Sequence, residues 1–174
     1  MIYKASRLIA ETFDRKGIVY DLRELNELSF IEAGFTVEGG SMLLLRFLSE
    51  SENNDVAIRL FRIFHRIPAE RLAAAAEACM ELNEKIRFFK FCLDQEGSLH
   101  MEADLPLETA DDCLGLCCYE LFVRAMQILN AEYATLARAV YGESRPQKPD
   151  PRELLGALRA LREHPIPLNG EAGA

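Results

Sequence analysis

Three stretches of this sequence carry residue types that can do chemistry. In His100-Met101-Glu102-Ala103-Asp104 three metal-ligand types alternate, so a strand would place all three on one face. Alternate strand positions lie about 7 Å apart, too far for one ion to reach all three unless other elements contribute. A solvated outer face accounts for the same alternation, with Leu99, Met101, Ala103 and Leu105 as the buried set. Arg59, Arg62, His65 and Arg66 form a small basic group ahead of Pro68. Arg59, Arg62 and Arg66 are a candidate site for a phosphate or an acidic peptide; neutralisation of nearby glutamates is the other reading. Cys113 and Cys117 stand four apart in a helical stretch, a spacing that can hold a metal, but no histidine lies nearby in sequence. The five cysteines are odd in number and include no Cys-x-x-Cys pair, so they read as small apolar residues in a reducing compartment.

The familiar catalytic patterns are missing. No histidine stands beside a Ser or Cys in a nucleophile motif. Glu38-Gly39-Gly40-Ser41 is short and lacks a following Lys or helix, so it is no phosphate loop. Glu132 falls within an apolar helical stripe, either as a buried functional carboxylate or at the stripe's edge. The expectation is a chain with no catalytic residues, no metal ligands and no cofactor, hence not an enzyme.

These residues need elements to position them. Leu8, Ile9, Thr12 and Phe13 repeat at helical spacing, which predicts a helix over 3–16 ended by Gly17. Residues 18–27 are open between a short strand at Ile18-Val19-Tyr20 and a helical turn at 21–25. Leu28–Val37, Met42–Leu48 and Val56–Phe64 read as three strands, with a turn at Gly39-Gly40 and a polar loop over 49–55. Pro68 opens a helix to about Lys85. At about 100° per residue its Glu70, Glu77, Glu81 and Glu84 share a stripe, while apolar residues spread over roughly half the circumference. That exceeds the ~100° stripe of a helix packed on one surface only, so this helix is either deeply buried or has a second partner.

Ile86–Leu93 and Leu99–Leu105 read as two further strands around a turn at 94–97. Thr109, with Asp112 three residues on, is placed to cap a long helix over 109–141 that Gly142 ends. The expected fold is α+β in the order α-β-β-β-α-β-β-α, an antiparallel five-stranded sheet covered by helices. Residues 143–150 have linker composition, with Pro146 and Pro149. Asp150-Pro151-Arg152-Glu153 is a helix start, and Leu154, Leu155, Leu158 and Leu161 then make an apolar stripe with Arg152, Arg159 and Arg162 outside it. Pro165 and Pro167 stop that helix, and a disordered end is expected. This divides the chain into a domain over 1–142 and a tail over 143–174.

Composition sets the class. At 174 residues with 49% apolar and 28% charged residues, the chain is an ordinary soluble globular protein able to bury a core. A net charge of −8 argues against a nucleic-acid or anionic-membrane partner. Residues 1–13 mix Lys4, Arg7 and Glu11 among apolar residues, the pattern of neither a signal peptide nor a membrane span, so the cytoplasm is the expected compartment.

One family shares this order of elements. Asn83-Glu84-Lys85-Ile86-Arg87-Phe88-Phe89-Lys90-Phe91, then Gly97 before an alternating strand, Leu105-Pro106-Leu107, and a long helix ending Ala131-Glu132-Tyr133-Ala134-Thr135-Leu136 with Tyr141-Gly142 carry the likeness. The chain resembles, over roughly residues 4–142, the YbjN family of bacterial sensory transduction regulators, within the type III secretion chaperone-like fold. The resemblance implies a non-enzymatic regulator or chaperone-like module, an acidic homodimer that binds a segment of a partner protein and pairs through the helix between its two strand groups. This agrees with the wide apolar face of the 68–85 helix, and makes Leu72, Ala75, Ala76, Cys79 and Met80 the candidate dimer or partner contact. Leu154, Leu158 and Leu161 are the candidate docking stripe of the tail, able to mask a groove. A small-molecule or nucleotide sensor using the basic group at 59–66 is the alternative.

Overall fold

The computed structural model describes residues 1–39, 42–106 and 109–142. The boundary at 142/143 and the tail residues Leu154, Leu158 and Leu161 lie outside the described residues. α1 (Lys4–Lys16) ends at Gly17, whose φ of 68° is the left-handed conformation glycine adopts without cost. A strand then follows where two readings stood open. β1 (Tyr20–Leu25) pairs along its whole length with β2 (Leu28–Thr36) through a two-residue turn, with Asn26 at φ 53°. The antiparallel sheet therefore has six strands rather than five. The segment Tyr20-Asp21-Leu22-Arg23-Glu24-Leu25 has little alternation of its own; the exposed edge of β2 makes it a strand.

β3 (Met42–Ser49) and β4 (Val56–Phe64) extend the meander, and β6 (Leu99–Leu105) joins β4 ahead of the short edge strand β5 (Lys90–Leu93). The strand order is β1-β2-β3-β4-β6-β5, antiparallel throughout. β5 begins four residues later than the sequence pattern indicates, because Phe89 turns fully into the core while Phe88 stays at the surface. A 3-10 turn (Ala69–Arg71) leads into α2 (Leu72–Lys85). α3 (Asp111–Tyr141) has Ala110 at its N-cap, without a side-chain cap. The Thr109 hydroxyl instead donates to the Pro106 carbonyl, 3.0 Å away. Asp111 holds the α3 start by accepting from Lys4 Nζ at 3.0 Å and from Asn54 Nδ2.

One face of the sheet is the core floor. Ile31, Ala33, Leu45, Phe47, Ile58, Leu60 and Met101 alternate inward and are buried. The helices lie on that face: Phe13 of α1 meets Phe47 and Phe122, Phe35 meets Phe122, and Phe64 stacks on Tyr133 of α3. α1 and α3 approach closely at Gly115, where an added Cβ would stand 2.2 Å from Thr12 Oγ1 and 2.6 Å from the Leu8 carbonyl oxygen. Glycine is required there by space, since α3 is otherwise a regular helix.

The opposite face is organised by register. Asp21 pairs with Glu32, Glu32 with Arg46, Arg46 with Arg59, Arg59 with Glu102, and Glu102 with Lys90. One charged residue from each strand thus forms a single row across the whole sheet. Lys90, at the edge, turns its ammonium to the carbonyls of Asn83 and Ile86 at the end of α2.

Candidate interaction surface

The sequence-level ligand set on β6 does lie on one face, as its alternation requires, but protein partners occupy it. Asp104 and Glu102 face Arg59, with Nη2 2.8 Å from Asp104 Oδ1 and Nε 3.6 Å from Glu102 Oε2. Arg59 Nη1 also donates to the carbonyls of Ile58 and Ala103. Among the described residues, no group of three or more His, Cys, Asp or Glu side chains is placed to hold a metal ion.

The other two arginines of the candidate anion site sit at the far end of β4. Leu60 pairs with Met101 and Phe64 with Leu99, so Phe61, Arg62 and Ile63 together oppose His100 alone. Arg62 takes a left-handed backbone at φ 56°, as does Arg66 at 52°. His100 supports this bulge: its Nδ1 accepts the Arg62 N–H at 3.0 Å while Nε2 bonds Asp94 Oδ2 at 2.6 Å. Arg62 Nη2 is 4.0 Å from Glu96 Oε2. Arg59 is therefore held by β6 carboxylates, and Arg62 reaches toward a glutamate of the β5–β6 turn.

The bulge also gathers residues that sequence separation hid. His65 Nδ1 lies 3.0 Å from Ser98 Oγ, and Asp94 accepts the Ser98 N–H at 2.7 Å. The histidine that meets Ser98 is not the one that meets Asp94. These are two separate pairs, and the serine hydroxyl is buried, so the cluster does not form a nucleophilic relay. Burial first, and then the Arg62 and Arg66 charges, lower the His65 pKa. Burial pushes Asp94 upward, but the Ser98 N–H and His100 outweigh it and hold the carboxyl below its ordinary value.

The cysteines are all free thiols. Burial raises Cys79 to about 11, and burial with the Glu102 carboxylate raises Cys92 to about 11. Cys118 is raised by burial, and exposed Cys113 by its neighbour Asp112. None of these four is activated as a thiolate nucleophile. Glu132 is half-buried on α3.

α2 carries the remaining candidates and divides them. Ala75, Cys79 and Leu82 are buried in the chain's own core, and Leu72 is half-buried beside Gly97. Ala75 and Cys79 thus face inward, which explains much of the wide apolar arc. Ala76 is half-buried, Ala73 exposed, and Met80 is 67% exposed. At ~100° per residue Ala76, Met80 and Ala73 fall within about 60° of arc, and the exposed Glu84, Glu77 and Glu81 follow directly on one side. The outer face of α2 is an apolar strip bordered by an acidic stripe. Its direction is set by α3: Arg71 donates to the carbonyls of Ala139 and Arg138 at 2.6–2.9 Å, and Arg124 lies over the Phe88 ring at 5.8 Å. α2 and α3 are therefore antiparallel, with the end of α3 beside the start of α2.

Residues 6–114 match the YbjN family, described as "Putative bacterial sensory transduction regulator". The chain belongs to the YbjN family. The matched span runs from α1 through the sheet and α2 into the first turn of α3, so the outer face of α2 belongs to the family's common part. Most of α3 and the tail lie beyond it. No curated protein matches the chain. The family's description is that of a regulator and names no reaction. No described helix of this YbjN protein is long and apolar enough to cross a membrane.

Proposed function

We propose that this YbjN protein is a non-enzymatic, chaperone-like or regulatory interaction module of the cytoplasm, and that α2 presents its outer face to an amphipathic, basic-flanked segment of a partner protein. The observation that carries this reading is the exposed Met80, with Ala73 and Ala76 beside it and three glutamates of α2, Glu77, Glu81 and Glu84, along one border. An apolar side chain at 67% exposure gains from being covered, and the small alanines let a second helix come close. The acidic border selects the sign of the occupant. It also disfavours a second copy in antiparallel self-pairing, which places the glutamates of both helices on the same side of the contact. A partner segment is therefore preferred here to the homodimer that the resemblance implies.

Affinity capture from extract of the native cell tests it. Full-length protein, a Met80→Glu variant and a Met42→Glu control on the outer sheet face are compared by quantitative mass spectrometry. The expected result is a protein whose recovery falls about tenfold with Met80→Glu, as for a contact near the centre of an interface, and is unchanged with Met42→Glu. Recovery that does not distinguish the two variants would overturn the reading. Sedimentation separates the second-copy case, since a dimer abolished by Met80→Glu would put another YbjN chain on this face.

A further inference from the structure

We infer that residues 151–163 of this chain lie along the outer face of α2 in the same molecule, antiparallel to it, and occupy the surface that a partner segment would take. The inference rests on the reading of that face as a binding surface and supplies its resting occupant.

Position is the first argument. The described chain ends at Gly142, one turn beyond the Arg138 and Ala139 carbonyls that Arg71 holds, so it leaves the fold beside the start of α2. Residues 143–150 contain Pro146 and Pro149. Eight residues in an extended proline-rich conformation cover about 25 Å. α2 has 14 residues, about 21 Å at ~1.5 Å per residue. The linker therefore reaches the far end of α2, from which a following helix runs back. Residues 151–163, read as a helix, span about 20 Å, the same length as the face.

Register is the second argument. Glu77 and Glu84 are seven apart on α2, and Arg152 and Arg159 are seven apart in the tail. Antiparallel alignment that sets Arg152 against Glu84 also sets Arg159 against Glu77. The same alignment sets Met80 level with Gly156, which lies on the side of the tail helix away from the leucines, so the Met80 side chain packs between Leu154 and Leu158. Handedness agrees. On α2 the acidic stripe follows the apolar strip in the direction of increasing helical angle, and on the tail the arginines follow the leucine stripe in the same direction. Two helices with that shared sense bring their charged borders to the same side only when antiparallel. Leu154, Leu158 and Leu161 then cover Ala73, Ala76 and the flanks of Met80.

A photo-crosslinker tests this in the full chain. p-Benzoylphenylalanine replaces Met80, whose exposure lets it accept the larger ring without disturbing the core. The protein is irradiated in extract of the native cell and the adducts are mapped by mass spectrometry. The expected product is an adduct to residues 151–163 within one chain. Arg152→Glu with Arg159→Glu should cut its yield about fivefold, the scale of two exposed ion pairs. Glu77→Arg with Glu84→Arg in that same chain should restore it, which a general loss of folding would not allow. An adduct joining two YbjN chains would overturn the in-chain docking and put a second copy on the face. Adducts to other proteins alone would overturn it while leaving the partner reading standing. No adduct to any protein segment would overturn both.

Discussion

Arg46 Nε lies 2.5 Å from Glu32 Oε1 across the β2–β3 pair, on the sheet face turned away from the helices, and the two side chains are only 12% and 9% exposed. The guanidinium also lies 5.6 Å from the Phe30 ring centre and 5.7 Å from that of Phe61. A face without a helix is thus sealed locally by its own side chains. Removing one partner leaves a nearly buried charge alone. Glu32→Ala and Arg46→Ala should each cost about 3 kcal/mol, whereas the joint Glu32→Leu, Arg46→Met change should cost under about 1 kcal/mol. Urea unfolding of the three variants measures this. Single variants as stable as the double would show that the pair is solvated and weak.

Gly115 should tolerate no side chain. Gly115→Ala forces α1 and α3 apart and should destabilise by about 3 kcal/mol. Shortening Thr12 to Ala in the same chain should recover only part of the loss, because the Leu8 carbonyl still stands 2.6 Å from the new Cβ. Complete recovery would place the clash on the Thr12 side chain alone.

Acid should act in two steps. The His65 pKa is below 6.5 in the folded chain, so the unfolded chain takes up this proton first. Its contribution to stability is complete above pH 6.5, declines as pH falls from there to the lowered folded value, and then changes no further. Asp94 contributes stability above its ordinary value of 3.8 that is lost as pH falls through its lowered folded value. His65→Gln, which keeps a group able to bond Ser98, should flatten the first step and leave the second. Denaturant midpoints from pH 7.5 to 3 read both, and a His65→Gln curve that keeps the first decline would assign it elsewhere.

Thiol labelling should be ordered by burial. In native protein iodoacetamide should reach exposed Cys113 first and half-buried Cys92 more slowly, while buried Cys79 and Cys118 react only on unfolding. Asp112 raises the Cys113 pKa, so Asp112→Asn should speed its labelling. Mass spectrometry of timed digests gives the order, and early modification of Cys118 would contradict its place in the core.

What local pattern could reveal, the sequence revealed. The alternation of β6, the long apolar face of α3 and the glycine that ends α1 depend on neighbours within one turn or one strand, and each element stands where its pattern lies. The acidic stripe of α2 was equally legible, because helical angle follows from spacing alone. β1 was not, because its own residues suit strand or turn and only the free edge of β2 decides between them. The partition of α2 was hidden as well: Ala75 and Cys79 are of the same apolar type as Ala76 and Met80, and only packing against the sheet and α3 says which pair is used up. Tertiary structure alone assembled the charged row from Asp21 to Lys90 and brought His65 to Ser98, since both depend on strand register and on one bulge at Arg62. The sequence by itself determined the elements other than β1 and which of their faces are apolar or acidic. The tertiary structure decided which apolar residues remain uncovered, because burial is a property of the neighbour as much as of the residue.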